Sequence, residues 1–272
     1  MNTWGQATDQ HLAWLTAAGR SAGTIRLRRH YLNLAARSLP RPPAATTTED
    51  LVQWFATRDW SPETRRSARS AMTGFYAWAV TTKRLPENPA EGLPPIPSGT
   101  PRPHPVPEDV LHDVLATCTP RVALMIRLAA ELGLRRAEVA GVHRDDLRRD
   151  LTGWVLVVKG KGRKQRVIPV PENLAMRIRD EADTTFGYLF PGQHGGHLSA
   201  AWVGRLVGRE LPHHLSMHSL RHRFASAAYG ATTDLLTVQQ LLGHSNPRTT
   251  MGYVALGADA ARRAVNAVST AA

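Results

Sequence analysis

WVLVVKGKGRKQRVIPV, residues 154–170, sets two short apolar runs on either side of six residues that are only glycine, lysine and arginine. Trp154–Val158 and Gln165–Val170 are rich in β-branched side chains and too short for helices, so each reads as a strand. The glycines of Lys159–Lys164 mark a turn between them, which makes the segment a hairpin. It is not a phosphate-cradling GxxxxGK[ST] loop, because that pattern is absent and a strand follows the turn where a helix would be needed. On the N-terminal side, an apolar helix is expected over Arg121–Leu132 with Gly133 as its left-handed cap. A further helix starts at Pro107-Glu108-Asp109. On the C-terminal side, the chain from Pro171 onward reads as mainly helical apart from the short apolar run Tyr188–Phe190. The hairpin is therefore a small sheet set into a helical domain.

Further upstream, 7 of the 14 residues from Pro94 to Pro107 are proline, which no helix or sheet accommodates, so the segment reads as a stiff extended linker. The 93 residues before it are helical in pattern. Thr48 can cap a helix carrying Leu51, Trp54 and Phe55, and Ser61-Pro62 opens another carrying Ala68, Ala71, Met72, Phe75, Trp78 and Ala79. A segment from Thr24 puts Leu27, Tyr31 and Leu34 on one side and Arg26 and Arg29 on another, and a bundle of about four helices follows.

Lysine and arginine number 34 against 22 acidic residues, a net charge of +12. Residues 1–93 carry 12 basic and 7 acidic groups, and the remainder carries 22 and 15, so the excess is spread over both parts. That distribution suits a protein gripping a polyanion with two surfaces, although a basic solvated surface alone would look the same. No apolar run approaches the ~18 residues of a membrane helix, and the first ten residues lack the pattern of a secretion signal. Cys118 is the single cysteine, so no internal disulfide forms and a reducing cytoplasm is expected.

Four patches carry polar residues that core packing does not demand: Gly133-Leu134-Arg135-Arg136-Ala137-Glu138, the hairpin turn, His218-Ser219-Leu220-Arg221-His222, and Leu242-Gly243-His244 with Tyr253 nine residues later. His214, His218 and His222 have helical spacing, but the glutamate of HExxH is replaced by Ser219 and no cysteine is near, so a zinc site is disfavoured. Phosphodiester cleavage without a metal needs cations on the nonbridging oxygens, and two guanidinium groups are the natural clamp. It also needs a proton for the leaving 5′-oxygen, which a lysine on a turn can bring. A phenol suits reversible attack on phosphorus, and histidines beside it move protons. Arg, Lys, His, Arg, His and Tyr in chain order form such a set. Taken singly, each residue has an ordinary structural use.

The four patches resemble the signature boxes of the tyrosine recombinases, the family of phage integrases and bacterial chromosome-dimer resolvases, over residues 106–256. By that resemblance Arg135 is the first clamp arginine and Glu138 its supporting acid. Lys161 is the catalytic lysine, His218 accepts the proton of the tyrosine, Arg221 is the second clamp, and His244 and the nucleophile Tyr253 complete the set. The family often has aspartate where Ser219 stands, and tryptophan as an alternative to His244. The implied fold is mainly α with a small β-sheet, a two-domain DNA clamp. A helical core-binding domain spans 1–93, a proline-rich linker 94–106, and a mixed α/β catalytic domain 107–272. A tail helix carrying Ala258, Ala261, Ala264, Val265 and Val268 would close it.

DNA contacts are expected from Arg26, Arg29, Lys159 and Lys164. The implied partners are double-stranded DNA attachment sites, bound by a homotetramer on paired sites, with room for an accessory factor that sets direction. Neither a metal, a cofactor nor a membrane is implied, and the cytoplasm is the expected compartment. Only 93 residues precede the linker, which favours a small temperate-phage integrase without an arm-type DNA-binding domain over a chromosome-dimer resolvase. A non-catalytic DNA-binding factor and a type IB topoisomerase are the rivals of another kind.

Overall fold

The computed structural model describes residues 3–97, 104–160, 165–185 and 187–243. The chain forms two compact units, Met1–Gly99 and Thr100–Ala272.

The first unit holds α1 (Trp4–Ala17), α2 (Ala22–Ser38), α3 (Thr48–Ala56) and α4 (Pro62–Thr81). Each begins where a hydroxyl side chain accepts one of the unpaired N–H groups of the first turn: Thr3, Ser21, Thr47 and Ser61. The cap of α3 is thus Thr47 and not the expected Thr48. Asp50 stands three residues after Thr47 and returns the bond to its N–H (2.9 Å), completing a capping box. The Thr48 hydroxyl donates instead to the Pro89 carbonyl (2.9 Å). Leu32, Leu51, Met72, Phe75 and Tyr76 are fully enclosed, and Trp4 stacks on Phe75. The buried face of α2 is Tyr31, Leu32 and Ala35. Leu27 lies 44% exposed, because the inward face of α2 runs through Ile25, Arg28, Tyr31, Leu32 and Ala35 and leaves Leu27 to one side.

The second unit holds α5 (Glu108–Thr117), α6 (Pro120–Leu132), α7 (Arg136–Ala140), a 3-10 turn at Arg144–Asp146, and strands β1 (Leu147–Asp150), β2 (Gly153–Lys159) and β3 (Gln165–Val170). Helices α8 (Glu172–Thr185), α9 (Ala200–Glu210), α10 (Met217–Thr232) and α11 (Leu235–Leu242) follow. The strands pair antiparallel in the order β1-β2-β3, with Leu156 opposite Ile168 and Lys159 opposite Gln165. Alternation sends Leu156, Val158, Ile168 and Val170 into the core. Helix α6 is the axis of this core, with Met125, Ile126, Leu128 and Ala129 fully enclosed. Val106, at the far end of the proline-rich stretch, is buried in the same core and donates its N–H to Ser219. The fold is mainly helical with one small sheet. Among the described residues no helix is long and apolar enough to cross a membrane.

Candidate active site

Helix α6 ends at Gly133, whose φ of +66° turns the chain back across the unit. A Cβ at this position would lie 2.4 Å from the Phe224 ring, so only glycine fits. The turn delivers Arg135 to the start of α7, where its backbone is still extended, and Glu138 to the third position of that helix.

Glu138 is buried and saturated with donors. It accepts the Arg135 backbone N–H and the Arg135 Nη1–H, both at 2.8 Å. It also accepts the two prongs of Arg166 from β3, Nη1 to Oε1 at 2.9 Å and Nη2 to Oε2 at 2.8 Å. Arg221 Nη1 lies 3.9 Å from Oε2. Burial pushes this carboxyl up, but the hydrogen bonds from Arg166 and Arg135 and the Arg166 charge outweigh it and hold it at about 2.

The three arginines meet a second time at the end of α11, where three successive carbonyls each accept from a different one. Leu241 O accepts Arg166 Nε–H (2.7 Å), Leu242 O accepts Arg221 Nη2–H (2.5 Å), and Gly243 O accepts Arg135 Nη2–H (3.2 Å). Arg221 also donates Nη1–H to the Gly133 carbonyl, and its side chain is 2% exposed. That of Arg135 is 41% exposed, so it can meet a ligand.

His218 sits in the first turn of α10, its N–H taken by the Ser216 hydroxyl. Burial, then the Arg221 and Arg135 charges, lowers it below the ordinary imidazole range, which leaves a neutral ring able to accept a proton. His222 lies one turn on, its ring 4.2 Å from that of His218 between centroids. Burial, with His218, Arg221 and His104 around it, lowers His222 to about 4. His214 precedes α10, so the helical spacing of three histidines is not realised. Arg135, Arg136, Arg205, Ser216, His218 and Arg221 line one cleft of about 690 Å³.

The structure thus brings together Arg135, Glu138, His218 and Arg221, four of the residues singled out by sequence. Lys161, Lys164, His244, Tyr253 and the tail helix lie outside the described residues. Lys159 is exposed at the end of β2 and pairs with Asp146, a buried carboxylate, at 2.8 Å. In the first unit Arg26 is exposed on α2, and Arg29 pairs with Asp9 at 3.1 Å. Sequence reasoning missed Arg166, Arg136 and Arg205. Arg166 had a signal: it shares the inward face of β3 with Ile168 and Val170, a place where a cation needs a partner.

Residues 106–259 match the phage integrase family. The chain is 35% identical over 213 residues to the tyrosine recombinase XerC of Xylella fastidiosa strain M23, covering 73% of this chain and 72% of that one. It is 29% identical to the XerC of Chromobacterium violaceum over 92% of this chain and 90% of that one. Among solved structures, the XerH site-specific recombinase bound to a palindromic difH substrate superposes with a TM-score of 0.74 at 18% identity, over 89% of this chain and 78% of that one. A lambda integrase dimer bound to a COC′ core site gives 0.73 at 16% identity, over 92% of this chain and 76% of that one. These structures share the fold. With the family pattern spanning more than half of the sequence, the chain belongs to the phage integrase family and is a tyrosine recombinase, an enzyme that cleaves and religates DNA strands.

Proposed function

We propose that the chain exchanges strands between duplex DNA sites, with Tyr253 as nucleophile. The observation that carries this reading is the cleft itself, where Arg135 and Arg221, with Arg136 and Arg205 beside them, and the neutral His218 imidazole line one space. Arg135 and Arg221 neutralise the nonbridging oxygens as phosphorus becomes five-coordinate. The Tyr253 Oη–P bond forms as the P–O5′ bond breaks. His218 takes the phenolic proton, Lys161 gives one to the departing O5′, and His244 helps to orient the phosphate. The products are a 3′-phosphotyrosine and a free 5′-hydroxyl, and attack by a partner's 5′-hydroxyl reverses the step on the new strand. The ester stores the energy of the broken bond, so the exchange needs no ATP, and the guanidinium groups supply the charge neutralisation that a metal would otherwise give.

This division of labour also accounts for Glu138, which fixes the first arginine. Arg26, Arg29, Lys159 and Lys164 contribute phosphate contacts, and residues 1–93, 94–106 and 107–272 act as DNA-gripping part, linker and catalytic part. Four protomers on two sites complete the exchange. For the biological task, the XerC relatives support resolution of chromosome dimers over integration of a phage genome.

The test is a trapping experiment on fragments of the DNA of the cell that carries the chain. Wild-type protein should give an SDS-resistant DNA adduct in EDTA, and Tyr253→Phe should give none while still binding. An adduct with the phenylalanine variant would refute the assignment. Sequencing the trapped ends then yields the recognition site and separates a single chromosomal locus from a phage attachment site.

A further inference from the structure

Arg166 has no part in the division of labour above, yet its guanidinium makes three hydrogen bonds, two to Glu138 and one to the end of α11. Its side chain is 11% exposed, on a strand face otherwise given to Ile168 and Val170. Both prongs of its guanidinium close on Glu138, at 2.9 and 2.8 Å, and its Nε–H goes to the Leu241 carbonyl at 2.7 Å. A Cβ on Gly243 would lie 3.1 Å from its Cδ, so the chain leaving α11 is packed directly on its stem.

Three elements are therefore tied at one side chain. They are β3, which follows Lys161 in sequence; α7, which follows Arg135; and the end of α11, which precedes His244 in sequence. A planar guanidinium with two parallel bonds and a third at a fixed angle sets both the distance and the orientation of its partners. Glu138 cannot rotate while Arg166 holds both oxygens, and Arg135 donates two bonds, one from its backbone N–H and one from Nη1, to those same oxygens.

We infer that Arg166 is a positioning residue for strand cleavage. Acting through Glu138, it fixes the Arg135 guanidinium in the cleft, and through Leu241 it holds the end of α11 in register with β3. The inference rests on the catalytic reading of Arg135 given above.

Removing a guanidinium from a buried carboxylate endangers folding, so the informative variant is Arg166→Lys, which keeps the charge and loses the two-pronged geometry. The substrate is a nicked suicide duplex built on the recovered site, with either a phosphodiester or a methylphosphonate at the scissile position. Single-turnover cleavage of the phosphodiester by Arg166→Lys should fall by ~100-fold, the cost of a cation displaced by about 1 Å. DNA binding and thermal unfolding should stay near wild type. On methylphosphonate, where one nonbridging oxygen and its charge are gone, the deficit relative to wild type should shrink by ~10-fold, because less is asked of Arg135.

Adding Glu138→Gln should slow Arg166→Lys by no more than about threefold, since both act along one path. Wild-type cleavage by Arg166→Lys would overturn the inference. So would an equal deficit on the two linkages, or effects of the two substitutions that multiply. Arg135→Ala, run alongside, separates the premises. If it cleaves normally, the catalytic assignment itself fails. If it is slow while Arg166→Lys is not, only the positioning role falls.

Discussion

Glu138 is a carboxylate whose charged form the fold stabilises. Burial opposes that form, and Arg166 and Arg135 overcome the opposition, holding the group at about 2 against an ordinary 4.5. A folded value below the unfolded one means stability that is complete above about pH 4.5 and drains away as the pH falls toward 2, ~3 kcal/mol in all. Urea midpoints measured between about pH 2 and 6 should therefore decline on the acid side, and Glu138→Gln should flatten that decline while lowering stability at neutral pH. An unchanged acid limb in the variant would show that other carboxylates carry the effect. At this scale the sequence was half legible. Arg135, Glu138, His218 and Arg221 stand in recognisable boxes and meet in space. Arg166 hid at the start of β3 beside a stretch of sequence crowded with lysine and arginine, where one inward-facing arginine looks like its neighbours until the pleat separates inward from outward.

Among the elements, those announced by strong local chemistry were readable: Ser61-Pro62 opens α4, Gly133 closes α6, and the β-branched runs form β2 and β3. Two were not. In α1 the buried positions Trp4, Ala7, Thr8, His11, Leu12 and Leu15 keep helical spacing, but Thr8 and His11 interrupt the apolar stripe. His11 is tolerated there because rings of Trp14, Phe75 and Trp78 surround it and burial lowers it to about 4, leaving it neutral. In β1, Leu147-Arg148-Arg149-Asp150 is an edge strand in which only Leu147 turns to the core, too little to reveal it. The α3 cap fell one residue from its expected place, because the reciprocal bond to Asp50 decides between two adjacent threonines. Thr47→Ala should cost ~1 kcal/mol in urea unfolding followed by tryptophan fluorescence. A loss below about 0.3 kcal/mol would mean the capping box does little for the first unit.

For the whole molecule, fold class was the most legible property, since a proline-rich stretch, a helical front and one hairpin already imply two parts of unequal kind. The two large cores share no residue, and each part carries its own basic excess within the net +12. If both grip phosphates, affinity for duplex DNA should drop ~1000-fold or more as salt rises from ~50 to ~200 mM, the toll of displaced counterions for about six contacts. A titration insensitive to salt would contradict a two-surface electrostatic grip. The arginines at the α11 exit bear on the same field. Helix dipoles leave partial negative charge at their last carbonyls, a pole that repels nucleic acid. Here Leu241, Leu242 and Gly243 present that pole to guanidinium groups supplied by three separate segments. A phosphodiester brought to the cleft would meet a shielded helix terminus, where bare oxygen would repel it.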